Sequence, residues 1–187
     1  MNTAKAFLYA ILLSAPICGF GQEEVYEVNN GTIRFHSDAP QELIRAASKN
    51  LIGVIDLSKR TFLFKVNIAS FVGFNSPLQK EHFNENYLES DIFPFATYTG
   101  KIIEEIDLTK NGDYNVRAKG KLTIHGVDHQ RIIKCRVICK NGTITVQSDF
   151  TVLLADYNIK IPRIVSDKLS PEINVSINAL LMSRPSS

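Results

Sequence analysis

Apolar and polar residues alternate along much of this chain, the signature of strands with one buried face. In "RTFLFKVNI", Phe62, Phe64, Val66 and Ile68 share one side, and Thr61, Lys65 and Asn67 share the other. "YNVRAKGKLTI" sets Tyr114, Val116, Ala118, Leu122 and Ile124 against Asn115, Arg117, Lys119 and Lys121. "TITVQSDFTVLL" sets Ile144, Val146, Phe150 and Val152 against Thr143, Thr145, Gln147 and Asp149, and "EINVSINALL" repeats the pattern with Ile173, Val175, Ile177 and Ala179. Shorter alternating runs cover 25–35, 50–56, 98–106 and 131–139.

The runs are separated by turn chemistry. Asn111-Gly112 and Asn141-Gly142 are pairs that accept the positive φ angles of tight hairpins, and His125-Gly126 reads as a third turn. Residues 98–154 therefore form an antiparallel meander, and about eight strands at this spacing predict an all-β sandwich or closed barrel. Helical signals are few. "SPLQKEHFNENYLES" offers Ser76 as N-cap, Pro77 at the first helical position and Gln79 for a capping box, predicting a helix to about Glu89. A second short helix is expected in "PQELIRAASKN", residues 40–50.

The first 21 residues read differently. Lys5 precedes an apolar run from Ala6 to Cys18, and Gly19 and Gly21 occupy the minus-three and minus-one positions for cleavage before Gln22. This is the layout of a secretory signal peptide, too short for a membrane span. The mature domain is expected to be residues 22–187, periplasmic or secreted. Without the signal its charge is nearly balanced, since Lys5 is one of 21 basic residues set against 19 acidic ones. Such a surface lacks the basic footprint of a nucleic-acid binder. No second run of the ~20 apolar residues a transmembrane helix needs is present.

Catalytic and metal-binding signals are weak. His125 and His129 are four apart but flank a glycine turn, and no carboxylate pattern completes a metal site. No serine lies in a nucleophile elbow. His36, His125 and Asp156 are the only residues to offer a hydrolase or isomerase, and nothing in their spacing joins them. Cys135 and Cys139 lie on one side of "RIIKCRVICK", roughly 13 Å apart along a strand, too far for a mutual disulfide. They read as buried thiols, with an intermolecular bridge as the alternative. The chain is read as a non-enzyme without a cofactor.

Aromatic residues are the remaining surplus. "HFNENYLESDIFPFATYTG" carries Phe83, Tyr87, Phe93, Phe95 and Tyr98 within residues 82–100. An eight-stranded barrel has an interior that side chains can fill or that can hold one small ligand, so a filled core and a lined cavity both fit.

The segments "EHFNENYLESDIFPFATYTGKI", "GKLTIHGVDHQ", "FTVLLADYNIKIP" and "DKLSPEINVSI" resemble, in order and spacing, the YceI-like family over about Tyr26 to Ala179. The resemblance implies an eight-stranded antiparallel lipocalin-like barrel that holds a long-chain isoprenoid or other amphiphilic lipid, without catalysis. It is also compatible with a homodimer. On this reading the cavity lining is Phe62, Phe64, Val66, Phe71, Phe74, Phe83, Phe93, Phe95, Tyr98 and Tyr114. Lys80, His82 and Asn84 are the polar candidates at its mouth. A solid-core interaction domain is the alternative.

Overall fold

The computed structural model describes residues 25–184. The predicted signal segment lies outside them. Eight antiparallel strands run in chain order: β1 (Val25–Asp38), β2 (Leu43–Asp56), β3 (Thr61–Asn67), β4 (Phe95–Ile102), β5 (Gly112–Ile124), β6 (Val127–Lys140), β7 (Thr143–Leu153) and β8 (Glu172–Ser183). Each pairs with the next, and β8 returns to β1 to close the barrel. Closure removes the sheet edges that would otherwise be open to foreign strands.

The alternation directs the side chains as read. On β5, Val116, Ala118 and Leu122 are buried while Asn115, Arg117 and Lys119 face water. On β6, Ile133, Val137 and Cys139 are buried and Cys135 half-buried, and both thiols are free and on the inner side. Two hairpins use the expected pairs: His125 and Gly126 have φ of 50° and 71°, Asn141 and Gly142 50° and 75°.

Three expectations need correction. Asn111-Gly112 is not a tight turn, since β4 ends at Ile102 and a longer connection reaches β5. The Glu104 carboxylate accepts from the backbone N–H and the Nε of Arg117 and turns the chain away, while Asn111 Oδ1 accepts from the Asn141 N–H of the next hairpin. The helix expected in 40–50 is strand β2. Leu43 to Asp56 pair with β1 along almost their whole length, and Ala46, Ser48 and Leu51 are buried. Ladder pairing and burial override the local helix propensity of Leu, Arg and Ala. The third correction concerns the kind of helix. Ser76 caps α1 (Pro77–His82) by accepting from the Gln79 N–H at 3.1 Å, but Gln79 Oε1 accepts from Asn75 rather than from Ser76. From Phe83 to Tyr87 the chain then widens into a π-helical turn, closed by the Leu88 N–H on the Phe83 carbonyl.

The barrel is not uniform. Strands β6 and β7 pair only where Arg136–Lys140 meet Thr143–Gln147. Beyond that they part, and side chains bridge the split: Ser148 Oγ donates to the Lys134 carbonyl and Arg131 Nη2 to the Thr151 carbonyl, both at 2.8 Å. The 3-10 turn Leu154–Tyr157 plugs the gap, with the Tyr157 ring fully buried 5.1 Å from the His129 ring. One end of the barrel, here the lower, carries the Asn141-Gly142 hairpin. The upper end carries the His125-Gly126 hairpin and two long connections, 68–94 and 154–171, that roof it.

Candidate ligand cavity

The barrel interior is hollow. A lower lobe of about 90 Å³ is walled by residues such as Leu51, Ile55, Phe62, Ile102, Val116 and Val137. An upper lobe of about 170 Å³ lies beneath the roof. Either volume exceeds several-fold the ~10–15 Å³ that a single water needs. The walls are almost wholly apolar, and such cavities stay dry unless an apolar guest fills them. Five residues, Ile33, Val66, Ala96, Leu122 and Phe150, border both lobes and form a waist between them. Strand parity explains the waist directly, because inward positions from five strands, β1, β3, β4, β5 and β7, meet at one level.

The upper lobe is the aromatic one. Phe35 stacks on Phe83 with centroids 5.3 Å apart and planes 17° from parallel, and Phe71 and Phe74 close on the same pair at 5.0–6.0 Å. In the lower lobe the Phe62 and Tyr98 rings are 4.9 Å apart. The Tyr98 hydroxyl donates to the Ala118 carbonyl at 2.6 Å, and burial pushes its phenol well above the usual range. Burial likewise raises the Cys135 thiol, which faces the lower lobe. Of the wall residues only Lys65 is charged, and its ammonium lies 3.9 Å over the Phe95 ring centroid. The cavity therefore offers apolar area and ring faces, with the Tyr98 and Ser148 hydroxyls and the Gln79 amide already bonded.

Of the ten expected lining residues, Phe62, Phe64 and Tyr98 lie in the lower lobe, Phe71, Phe74 and Phe83 in the upper, and Val66 at the waist. The other three line neither lobe. Phe95 is an odd number of positions from Tyr98 on β4 and so points outward, to Lys65. Phe93 precedes the strand and packs edge-on against His125, 5.0 Å away. Tyr114 turns toward the lower end, where its hydroxyl donates to the Lys110 carbonyl. Nor do Lys80, His82 and Asn84 line the mouth. Gln79 and Tyr87 take that place, because Gln79, Phe83 and Tyr87 follow one side of the turn. Asn84 Oδ1 is buried without a hydrogen-bond partner. Phe35, Ile33 and Phe150 were missed as lining, although their parity along β1 and β7 is visible in the sequence.

His36 is exposed on β1, whereas the His125 ring is largely buried outside both lobes against Glu89 and the Tyr157 carbonyl. Asp156 lies on the Leu154–Tyr157 turn, so the three residues offered for catalysis form no common site.

A closed antiparallel barrel with a two-lobed apolar interior is a lipocalin-like fold. The family model described as YceI-like domain matches residues 28–181, and the chain belongs to that family. Its fold is similar to a polyisoprenoid binding domain from Saccharophagus degradans implicated in plant cell wall breakdown. The identity is 16%, the TM-score 0.72, with 87% of this chain and 100% of that one covered. It is similar also to BcnA of Burkholderia cenocepacia, at 15% identity and TM-score 0.66 over 80% of this chain and 95% of that one. The YceI protein of Campylobacter jejuni aligns at 17% identity and TM-score 0.52 over 73% and 81% of the two chains. No curated protein matches. At these identities the structural likenesses establish the fold.

Proposed function

We propose that the protein binds a long-chain isoprenoid or similar amphiphilic lipid in the two-lobed cavity, and carries or sequesters it without chemical change. The observation that carries this reading is the pair of apolar lobes meeting at a waist of five apolar residues. A tail that threads the waist exchanges water for hydrocarbon and ring faces. Each buried methylene is worth ~0.8 kcal/mol, so a five-carbon isoprene unit offers up to ~4 kcal/mol before the cost of ordering the tail. Few such units suffice for tight binding, and the wall needs no charge to hold them. The polyisoprenoid binding described for the Saccharophagus relative supports the same ligand class. The setting is outside the cytoplasm, a reading supported by the signal-like pattern of residues 1–21.

Native mass spectrometry of protein purified from its own host, followed by solvent extraction, tests this. The expected result is an added mass that extracts as a lipid, and the same spectrum reads whether the carrier is a homodimer. Protein that carries no lipid and takes up no long-chain alcohol when offered one would overturn the reading.

A further inference from the structure

Two roof segments cover the upper lobe. The first, 68–94, supplies Phe71, Phe74, Gln79, Phe83, Tyr87 and Leu88 to its wall; the second, 154–171, supplies Leu154, Ile159 and Leu169. One side chain joins both to the barrel. His125, at the tip of the β5–β6 hairpin, has Nε2 2.6 Å from the Glu89 carboxylate of the first roof and Nδ1 3.0 Å from the Tyr157 carbonyl of the second. The imidazole is mostly buried, with 12% of its side chain exposed, while the Glu89 side chain keeps 43% of its surface open to water.

Both partners of the ring are acceptors. Two protons are therefore needed between the ring and the carboxylate, one on each short contact, whereas a neutral imidazole beside a carboxylate holds one. The closed arrangement thus binds one proton more than the sum of its neutral ring and ionised acid. By linkage it is favoured where that extra proton is available and weakened as the proton is withdrawn. The surrounding groups do not supply the missing proton. From the second roof Asp156 adds negative charge, and on the hairpin itself Asp128 is held by Lys121 and Thr123. His129 donates Nε2–H to the Asp156 carbonyl at 2.7 Å, a bond that a neutral ring makes equally well.

The rest of the first roof is held by the packing of Phe83 and Leu88 beneath it and by a few hydrogen bonds. Its β2 side is tied by Gln79 Nε2 and Asn75 Nδ2 to Glu42 Oε1, and by Asn75 to the Leu43 carbonyl. Gly73, with φ of 96° and open space around it, follows the Val72–Ala47 bridge that fixes the start of the segment. At the far end Phe93 rests on the Gly126 turn, and Ile68 donates to the Pro94 carbonyl. Between these anchors only α1, the π-helical turn and Glu89 can lift without breaking the barrel ladder.

We propose that His125 and Glu89 form a proton-dependent latch on this lid, and that the lipid reaches the upper lobe when the latch releases. The second half rests on the lipid-carrier reading; the latch itself does not. Hydrogen exchange read by mass spectrometry on the full mature chain, corrected for the intrinsic pH dependence of exchange, tests the latch without ligand. Protection of peptides within 74–93, relative to β5 and β6, is expected to fall about tenfold from pH 5.5 to 8.0, the worth of one charge-assisted hydrogen bond. Glu89→Gln is expected to abolish that pH dependence, because a glutamine amide can donate to a neutral ring. His125→Asn, which tolerates the positive φ, is expected to show low protection at both pH values, with its thermal transition confirming that it remains folded. Wild-type protection that does not change with pH, or a Glu89→Gln protein that keeps the wild-type pH dependence, would overturn the latch. Uptake of a pyrene-labelled long-chain alcohol is expected to speed up with pH in step with exchange. Uptake that ignores the latch would overturn the route, and no uptake at any pH would overturn the carrier reading alone.

Discussion

The two lobes share a waist but are built in different ways. The lower lobe is enclosed by paired strands, and its walls include Phe62 and Val116, exposed by 5% and 3%. Its shape is therefore set by the same hydrogen bonds and packing that hold the barrel together. The upper lobe is enclosed on its roof side by connections; Phe71 there is as buried as Phe62, but Phe35, Phe74 and Phe83 are only partly buried and pack on one another. On the proposed carrier reading, the lobe that holds a tail end can be rigid, whereas the lobe that admits it needs a wall that can move without global unfolding.

The comparison is most sharply tested by deleting one ring from each lobe. Phe62→Ala is expected to lower unfolding stability by about 3–5 kcal/mol, and Phe74→Ala by less than about 1.5 kcal/mol since its ring is partly exposed. Urea titrations of both variants measure the contrast, and equal losses would mean that the roof is as integral as the wall. The next effect falls on the waist. Ala96→Phe is expected to cost about 1–3 kcal/mol through overpacking, and to remove bound lipid while leaving the fold, as read by native mass spectrometry and circular dichroism. Retention of full lipid occupancy would show that the lobes are not threaded through this level.

A smaller effect is expected at the lid's anchor. Gly126 has φ of 71°, and a Cβ there would press on the Phe93 ring. Gly126→Ala should therefore cost about 1–2 kcal/mol and loosen the 89–93 segment, which hydrogen exchange locates. The smallest lies on the β2–β3 turn at the lower end. Hydrogen bonds from the Lys59 ammonium, then Ser58 and the Lys59 N–H, hold the Asp56 carboxyl down to about 2, from 3.8. A folded-state value below the unfolded one means stability that is present above about pH 4 and lost as pH falls toward 2. With an exposed partner it is worth at most about 1 kcal/mol. Asp56→Asn should flatten the acid limb of a stability–pH curve by that amount, and an unchanged limb would refute the assignment.

Much of the barrel was legible because strand parity is a local property. Val116, Ala118 and Leu122 announce the inner face of β5 by spacing alone, and Asn141-Gly142 announces its hairpin through the backbone freedom those residues have. The same parity would have excluded Phe95, three positions before Tyr98, and included Phe35. Depth along the barrel was not legible. Tyr114 has a partly buried place on β5, yet it lies by the lower end, because how far a residue sits from the cavity depends on strand register. Residues 40–50 misled for a related reason: Ala46 and Ser48 fit a strand only once β1 is beside them.

From local chemistry alone, then, came the number and direction of most strands, two of the tight turns, the helix cap at Ser76 and an excess of rings for a core. Spacing and side-chain type decide these, and both are properties of neighbouring residues. Whether the rings met or stood apart, which connection roofed the barrel and that His125 would face both Glu89 and Tyr157 were decided in three dimensions. Those contacts join residues 32 and 36 positions apart, and only closure of the barrel brings such distant segments to one place.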